Sequence, residues 1–352
     1  GPLTVYLAGH GAPAVRSADV QLALWGGAGL LPRDLAETLD AAPRGRSGRQ
    51  VRLVMSSCFS GAFADVLFTA ADPTRGAAPE LRCGLFASTW DRPSSGCDPD
   101  PDARRGGYGA QLLRALAGQR ADGAAIDAAT LDLDHDGHVS LLEAHTHARA
   151  AAAGFDVPTT TSERWLRHVA TSAGWPVPLV GADTAPSAPV ALPEEDAVIA
   201  ALGPRLEAAG ELAVGARIAA LQRDLAALDQ ALAAASEAEA DAADRIAAET
   251  LARWPVLDDP WHPDYAATLA TEREAIEGWF KAHADYHAYL AAKDATDRAS
   301  ARRDEALLTL GPWLTLQRAH ETRRLAAHLA ARGGPERTTF DALRACERGL
   351  AP

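Results

Sequence analysis

The sequence predicts an α/β protein: a mostly parallel sheet flanked by helices, followed by an α-helical hairpin or bundle. Three observations predict it. Over residues 1 to about 180, short apolar β-prone runs alternate with helical stretches, the pattern of parallel sheets with helices on both faces. A Pro-, Ala- and Gly-rich stretch from Trp175 to Pro193 then reads as a linker. Beyond it Ala, Glu, Asp, Arg and Leu dominate, and Ile218, Leu221, Leu225, Leu228 and Leu232 recur in alternating steps of three and four. The expected boundaries are 1–180 for the α/β domain, 181–195 for the linker and 196–352 for the helical domain.

Taken in order, Thr4–Ala8 is an apolar strand ending at Gly9-His10-Gly11. Pro32–Leu39 is a helix opened by proline in its first turn, where a missing N–H costs nothing. Val51–Met55 is a second strand, broken at Ser56-Ser57-Cys58, and Gly84–Ser88 is a third. Tyr108–Leu116 is helical. In the C-terminal half, Pro255, Pro260 and Pro263 place a turn, and a further helix runs from about Pro263 to Leu310. Trp279, Phe280, Tyr286 and Tyr289 anchor it, and Trp261, Trp279 and Trp313 are expected in the helical core.

Composition narrows the classes of function. A formal net charge of -13 over 352 residues argues against nucleic acid or an anionic membrane as the main partner. No apolar run is long enough to span a bilayer. The four cysteines, Cys58, Cys83, Cys97 and Cys346, fit neither a zinc spacing nor a disulfide framework. A reducing, cytoplasmic location is therefore expected, with Cys83 and Cys97 as packed thiols. The Ala, Arg, Asp and Gly content fits a GC-rich bacterial genome.

Ligands and catalysis in doubly wound sheets gather at the carboxyl ends of the strands. His10, Cys58 and Ser88 all fall there. A thiol peptidase needs a thiolate, an imidazole to carry a proton, and donors for the developing oxyanion. His10 lies between two glycines, which lets the backbone come close to a substrate. Gly11 and Cys58 can offer their backbone N–H groups. The turn Phe59-Ser60-Gly61 would lift the sulfur from the sheet edge. A lone Cys and a lone His are most often a packed thiol and an unremarkable histidine; here each ends its own strand, with a helix between.

Val5-Tyr6-Leu7-Ala8-Gly9-His10-Gly11-Ala12 together with Ser56-Ser57-Cys58-Phe59-Ser60-Gly61 resembles the paired His-Gly and Cys-x-Ser-Gly motifs of the caspase/legumain-type (clan CD) cysteine peptidases. The likeness continues through Ala87–Cys97, which resembles the segment forming the substrate cleft in legumain-like enzymes, and through Gly106-Gly107-Tyr108-Gly109-Ala110. It covers roughly residues 3–165. It implies a caspase-like sheet, attack by Cys58 on a peptide carbonyl and proton transfer by His10. Gly11 and Cys58 would be the oxyanion donors, and Ser56, Ser88 and Asp91 the substrate contacts.

Two departures carry expectations. In this clan two further strands precede the His-bearing one, so an associated amino-terminal piece of the same protein is expected, released by processing of a zymogen. An acidic residue often stands two positions before the nucleophile; here it is Ser56, so charge for a basic P1 residue would have to come from Asp91, Asp98, Asp100 or Asp102. Small or apolar P1 residues stay open. Bacterial caspase-like proteins with helical extensions act in defence or cell-death circuits, which the resemblance extends to this chain.

Asp132-Leu133-Asp134-His135-Asp136-Gly137-His138-Val139-Ser140-Leu141-Leu142-Glu143 matches the 12-residue EF-hand calcium loop. Acids fall at positions one, three and five, glycine at six and Glu143 at twelve. Ser140 would ligate directly or through water, and His138 through its carbonyl. The plainer reading is an acidic turn capping the helix that starts near Ser140. His145 and His147 do not share a helix face; His283 and His287 have a metal-compatible spacing but no third ligand. Two alternatives to a peptidase of protein substrates are a catalytically silent caspase-like scaffold and a calcium-binding interaction protein.

Overall fold

The computed structural model describes residues 2–41, 50–95, 106–151, 154–175 and 190–349. Cys97, Asp98, Asp100, Asp102 and most of the expected linker lie outside them. The chain is a mixed α/β protein with two compact units, Gly1–Ala219 together with Leu308–Pro352, and Ala220–Leu307. The division differs from the expected one because the last helices pack with the sheet, a long-range contact that no composition shift signals.

The main sheet has the order β1-β5-β6-β7. Strands β1 (Leu3–Ala8), β5 (Val51–Ser56) and β6 (Arg82–Phe86) are parallel, and β7 (Thr159–Thr160) runs antiparallel to β6. A small antiparallel sheet joins β2 (Gly11–Ala12), β3 (Gln21–Ala23) and β4 (Gly29–Leu30). Side chains alternate across a strand, and the central strands show it. Val54 and Leu85 face one apolar cluster with Tyr108, Leu112 and Leu142; Leu53, Met55 and Phe86 face clusters with Ala36, Phe63 and Val66 on the other side.

The first of these layers is built by α2 (Tyr108–Ala117), α3 (Ala128–Leu131) and α4 (Leu141–Ala151). The second is built by α1 (Pro32–Asp40) and the 3-10 segment Ser60–Leu67. Helix α5 (Thr161–Ser172) follows β7, and α6 is Pro193–Arg205. Two long helices, α7 (Glu211–Arg253) and α10 (Tyr286–Arg332), bracket α8 (Tyr265–Thr271) and α9 (Arg273–Ala282), and α11 (Pro335–Arg348) closes the described chain. Ile218 and Leu221 of the heptad-like seam are buried. Trp261, expected in the core, is 92% exposed because it falls in the turn rather than on a helix. No helix among the described residues is long and apolar enough to cross a membrane.

Within the first unit, helix α11 is bound to its neighbours covalently and by charge. Cys83 of β6 and Cys346 form a disulfide, so Cys83 is no packed thiol. The bond also removes the ground on which a reducing compartment was expected. Next to it, Glu347 accepts from the Ser162 N–H at 2.6 Å and from the hydroxyls of Thr161 and Ser162. A carboxylate at the first turn of α5 suits the positive end of that helix, although burial raises its pKa. Arg344 and Arg348 pair with Glu194, and Arg149 pairs bidentately with Glu195 at 2.6 and 3.1 Å. Such buried pairs add little over apolar packing, but removing one partner typically costs about 3–5 kcal/mol.

His145 is wholly buried on α4, its Nδ1 2.8 Å from the Tyr108 hydroxyl and its Nε2 without a partner. Burial, then Arg149 and Arg344, depress its pKa well below 6.5. Below pH 6.5 the unfolded chain therefore takes up a proton that the folded chain refuses, and stability falls with pH.

Two outcomes follow from this packing. Peptide mapping without reduction should recover the Cys83–Cys346 link, and the Cys83→Ala/Cys346→Ala variant should lose about 2–4 kcal/mol in urea unfolding. Stability of the wild type should drop between about pH 7 and pH 5.5 by up to ~1.4 kcal/mol per pH unit for this group. His145→Gln should flatten that slope; an unchanged slope would mean His145 is not the group responsible.

Candidate active site

Parallel pairing of β1 with β5 sets Ala8 opposite Ser56. Two residues beyond each strand end stand His10 and Cys58, so the register brings the expected pair to one level of the sheet edge. The backbones there touch: a Cβ placed on Gly11 would lie 1.9 Å from the Cys58 carbonyl oxygen. Glycine at 11 is thus required by the Cys58 turn itself, a constraint that arises only where the two strand exits meet. Gly9 has no comparable constraint, since its nearest neighbour would be a Leu22 methyl at 3.7 Å.

The small sheet settles where the Gly11 amide points. The Ala23 N–H donates to the His10 carbonyl at 2.8 Å, and Gly11 lies opposite Leu22. In antiparallel geometry this makes Gly11 and Leu22 a non-hydrogen-bonded pair, so the ladder does not consume the Gly11 N–H. His10 is exposed and Cys58 half-buried. The thiol of Cys58 meets the backbone of Ser94: the Ser94 N–H donates to Sγ at 3.3 Å, and the Ser94 carbonyl lies 3.5 Å away. The N–H favours the thiolate and the carbonyl, as acceptor, favours the thiol, so together they hold the sulfur in place.

After the cysteine the chain turns sharply. Phe59 has φ of 58°, a left-handed conformation that costs a non-glycine residue on the order of 1 kcal/mol. The turn is held by Phe59 N–H to the Arg92 carbonyl at 2.9 Å and Gly61 N–H to the Ser88 carbonyl at 2.8 Å. A Cβ on Gly61 would meet Ser88 O at 2.7 Å and Thr89 Cα at 2.9 Å, which reserves this position for glycine. The loop after β6 therefore clamps the Cys58 turn from one side.

The expected substrate contacts separate. Ser88 is fully buried, its hydroxyl donating to the Pro93 carbonyl at 2.9 Å. It braces the loop and does not face a cleft; the sequence placed it at a strand end, but the loop folds back over it. Asp91 is exposed, accepts from Thr89 at 2.7 Å and lies near enough to Arg318 to raise that group's proton affinity. Burial beside Arg167 nevertheless lowers Arg318 to about 10. Ser56 is half-buried under the first turn of α2, where a Cβ on Gly109 would fall 2.5 Å from its Oγ.

Asp156, unmarked in the sequence, ties these parts together. One carboxylate oxygen accepts from the Ser94 hydroxyl at 2.5 Å and the Ser95 N–H at 2.7 Å; the other accepts from the Tyr108 N–H at 3.1 Å. It thus joins the loop touching Cys58 to the start of α2. Burial raises its pKa, against the hydrogen bonds from Ser94, Ser95 and Tyr108. No spacing rule could have found it, because its partners lie 48 to 62 positions away.

In the acidic loop, Asp132, Asp134 and Asp136 bring carboxylate oxygens within 4.8 Å of one another. Burial, then Glu143 and Asp136, raise the pKa of Asp134. Oxygen donors in this arrangement suit a hard cation. Glu143 is engaged otherwise: its carboxylate accepts from Leu133 N–H, Asp134 N–H and Ser140 N–H, while Ser140 Oγ accepts from Glu143 N–H. Ser140 and Glu143 thus form a capping box for α4. The His138 side chain is exposed, and the His138 backbone N–H donates to the Asp136 carboxylate. In the helical unit His283 is buried against Glu249 at 3.2 Å, an ordinary interhelical contact.

The described site is that of an α/β protein with a cysteine and a histidine on adjacent parallel strand ends. No protein-family model, curated protein or solved structure matches the chain.

Asp156→Asn would keep one accepting oxygen in place of two. Urea unfolding should show a loss of about 1–3 kcal/mol. Faster hydrogen exchange at the Ser95 or Tyr108 amide should accompany it; unchanged exchange at both would show that Asp156 does not hold the loop.

Proposed function

We propose that this chain is a caspase-like cysteine endopeptidase acting on protein substrates. The observation that carries this reading is the β1–β5 register, which levels His10 with Cys58 while Gly11 seats against the Cys58 carbonyl. The Cys58 thiolate attacks the scissile carbonyl carbon, and the Gly11 and Cys58 N–H groups receive the oxyanion. His10 protonates the amine as the C–N bond breaks, leaving a thioester. Water, giving a proton to His10, hydrolyses the thioester and frees the thiol.

The amino-terminal piece belongs to this reading too. Strand β1 is an edge of the main sheet, with Leu3 and Tyr6 exposed, and further strands of the same protein would pair there. A calcium ion at Asp132, Asp134 and Asp136 is proposed as a structural or regulatory cation, holding the loop ahead of α4. Glu143 would join as a ligand by giving up its bonds to the backbone N–H groups. A role in bacterial defence or cell death rests on the resemblance alone.

A peptide-library digest separates the readings. Wild type should cleave and Cys58→Ala should lose at least about a thousandfold in rate, the scale seen when a serine peptidase loses its nucleophile. No cleavage by the wild type, with or without calcium, would favour the silent scaffold. Calcium titrated by calorimetry should bind with one site and raise the melting temperature, and Asp132→Asn/Asp136→Asn should abolish both effects. Equal melting with calcium and with chelator would remove the cation from the proposal.

A further inference from the structure

The helical unit Ala220–Leu307 contains a cavity that the peptidase reading does not use. Its floor is one face of α7, where Ala243, Ile246, Ala247, Thr250 and Leu251 follow the i, i+3, i+4, i+7, i+8 rule for a shared face. Two alanines on that face leave space where larger side chains would fill it. Phe280 of α9 and Tyr286 and Tyr289 of α10 form the facing walls, and Asp258 lies in the 3-10 turn Pro255–Asp258. The volume is about 470 Å³, inside the ~300–1,000 Å³ range of small-molecule sites.

The lining chemistry selects the ligand. Thr250 donates to the Ile246 carbonyl at 2.6 Å, so its proton is committed within α7. The Tyr286 and Tyr289 hydroxyls make no side-chain hydrogen bond among the described residues. Asp258 is exposed and forms no ion pair among them. No Lys, Arg or His lines the cavity, so its only formal charge is negative. An anion would meet the Asp258 carboxylate, while Lys293, a cation close enough to interact with the wall residue Tyr289, is held by Asp297. A cation would meet a lining with three aromatic rings, whose quadrupoles can attract it, and the Asp258 carboxylate. The alanine-rich floor and Ile246 and Leu251 would take an apolar body.

We propose that this cavity binds a small organic cation with an apolar body, of the alkyl- or arylammonium class. The test uses the full chain and isothermal calorimetry with benzyltrimethylammonium, benzyl alcohol and phenylacetate as cationic, neutral and anionic probes. The cation should bind saturably at one site, at least about fivefold tighter than the alcohol, and phenylacetate should not bind. Asp258→Asn should weaken the cation about two- to fivefold and leave the alcohol unchanged. Ala247→Phe, at an exposed helix position, should abolish binding without shifting the melting temperature. Absence of saturation with any probe, equal affinity for cation and alcohol, or full cation affinity in Ala247→Phe would each overturn the proposal. Peptidase activity is not read, so an inactive Cys58 leaves the result intact.

Discussion

The pairing of β1 with β5 is the constraint on which the site depends. Side chains in a parallel ladder are fixed in height by the register, and a slip of one residue would turn every side chain of β1 to the opposite face. Leu53, Val54 and Met55 are buried on both faces of β5, so that strand cannot slip without exposing apolar area. Its end is therefore rigid, and Cys58 inherits that rigidity. Strand β1 gains its position by matching β5, and His10 inherits it in turn. Gly11 then allows the two exits to touch, which a side chain at that place would prevent.

Around this pair, polar groups do what apolar packing alone does not. The Asp156 carboxylate joins two chain segments that meet only in the folded state, and both border the Cys58 turn. Farther from the site, Glu347, Glu194 and Glu195 are buried with arginines and hydroxyls that satisfy them. Each is costly to bury alone and tolerable only when all partners are present. These groups give the docking of α11 a set of matched polar partners, and the Cys83–Cys346 bond makes that docking covalent.

Much of the architecture was legible locally. The three parallel strands, the proline-opened α1, the helix at Tyr108 and the helical half all announce themselves through periodicity and turn residues. Local signals also placed His10 and Cys58 at strand ends, because strand exits are marked by glycine and serine. Residues whose role depends on a distant partner were not legible. Ser88 ends a strand yet is buried under its own loop. Cys83 is bonded to a cysteine 263 positions away. Trp261 is an apolar side chain in a helical unit and is exposed. Asp156 carried no signal at all.

By itself, the sequence determined the α/β class, the strand exits that carry a histidine and a cysteine, and the acidic loop ending in a helix cap. These rest on interactions spanning a few residues, whose preferences are written in neighbouring side chains. Only the tertiary structure decided that the last helices belong with the sheet, that Gly11 serves the cysteine turn, and that Asp156 binds the surrounding loops. It also decided that a cavity opens between helices of the second unit. The physical reason is the same in each case: which distant groups meet depends on how whole faces pack, and no local spacing encodes it.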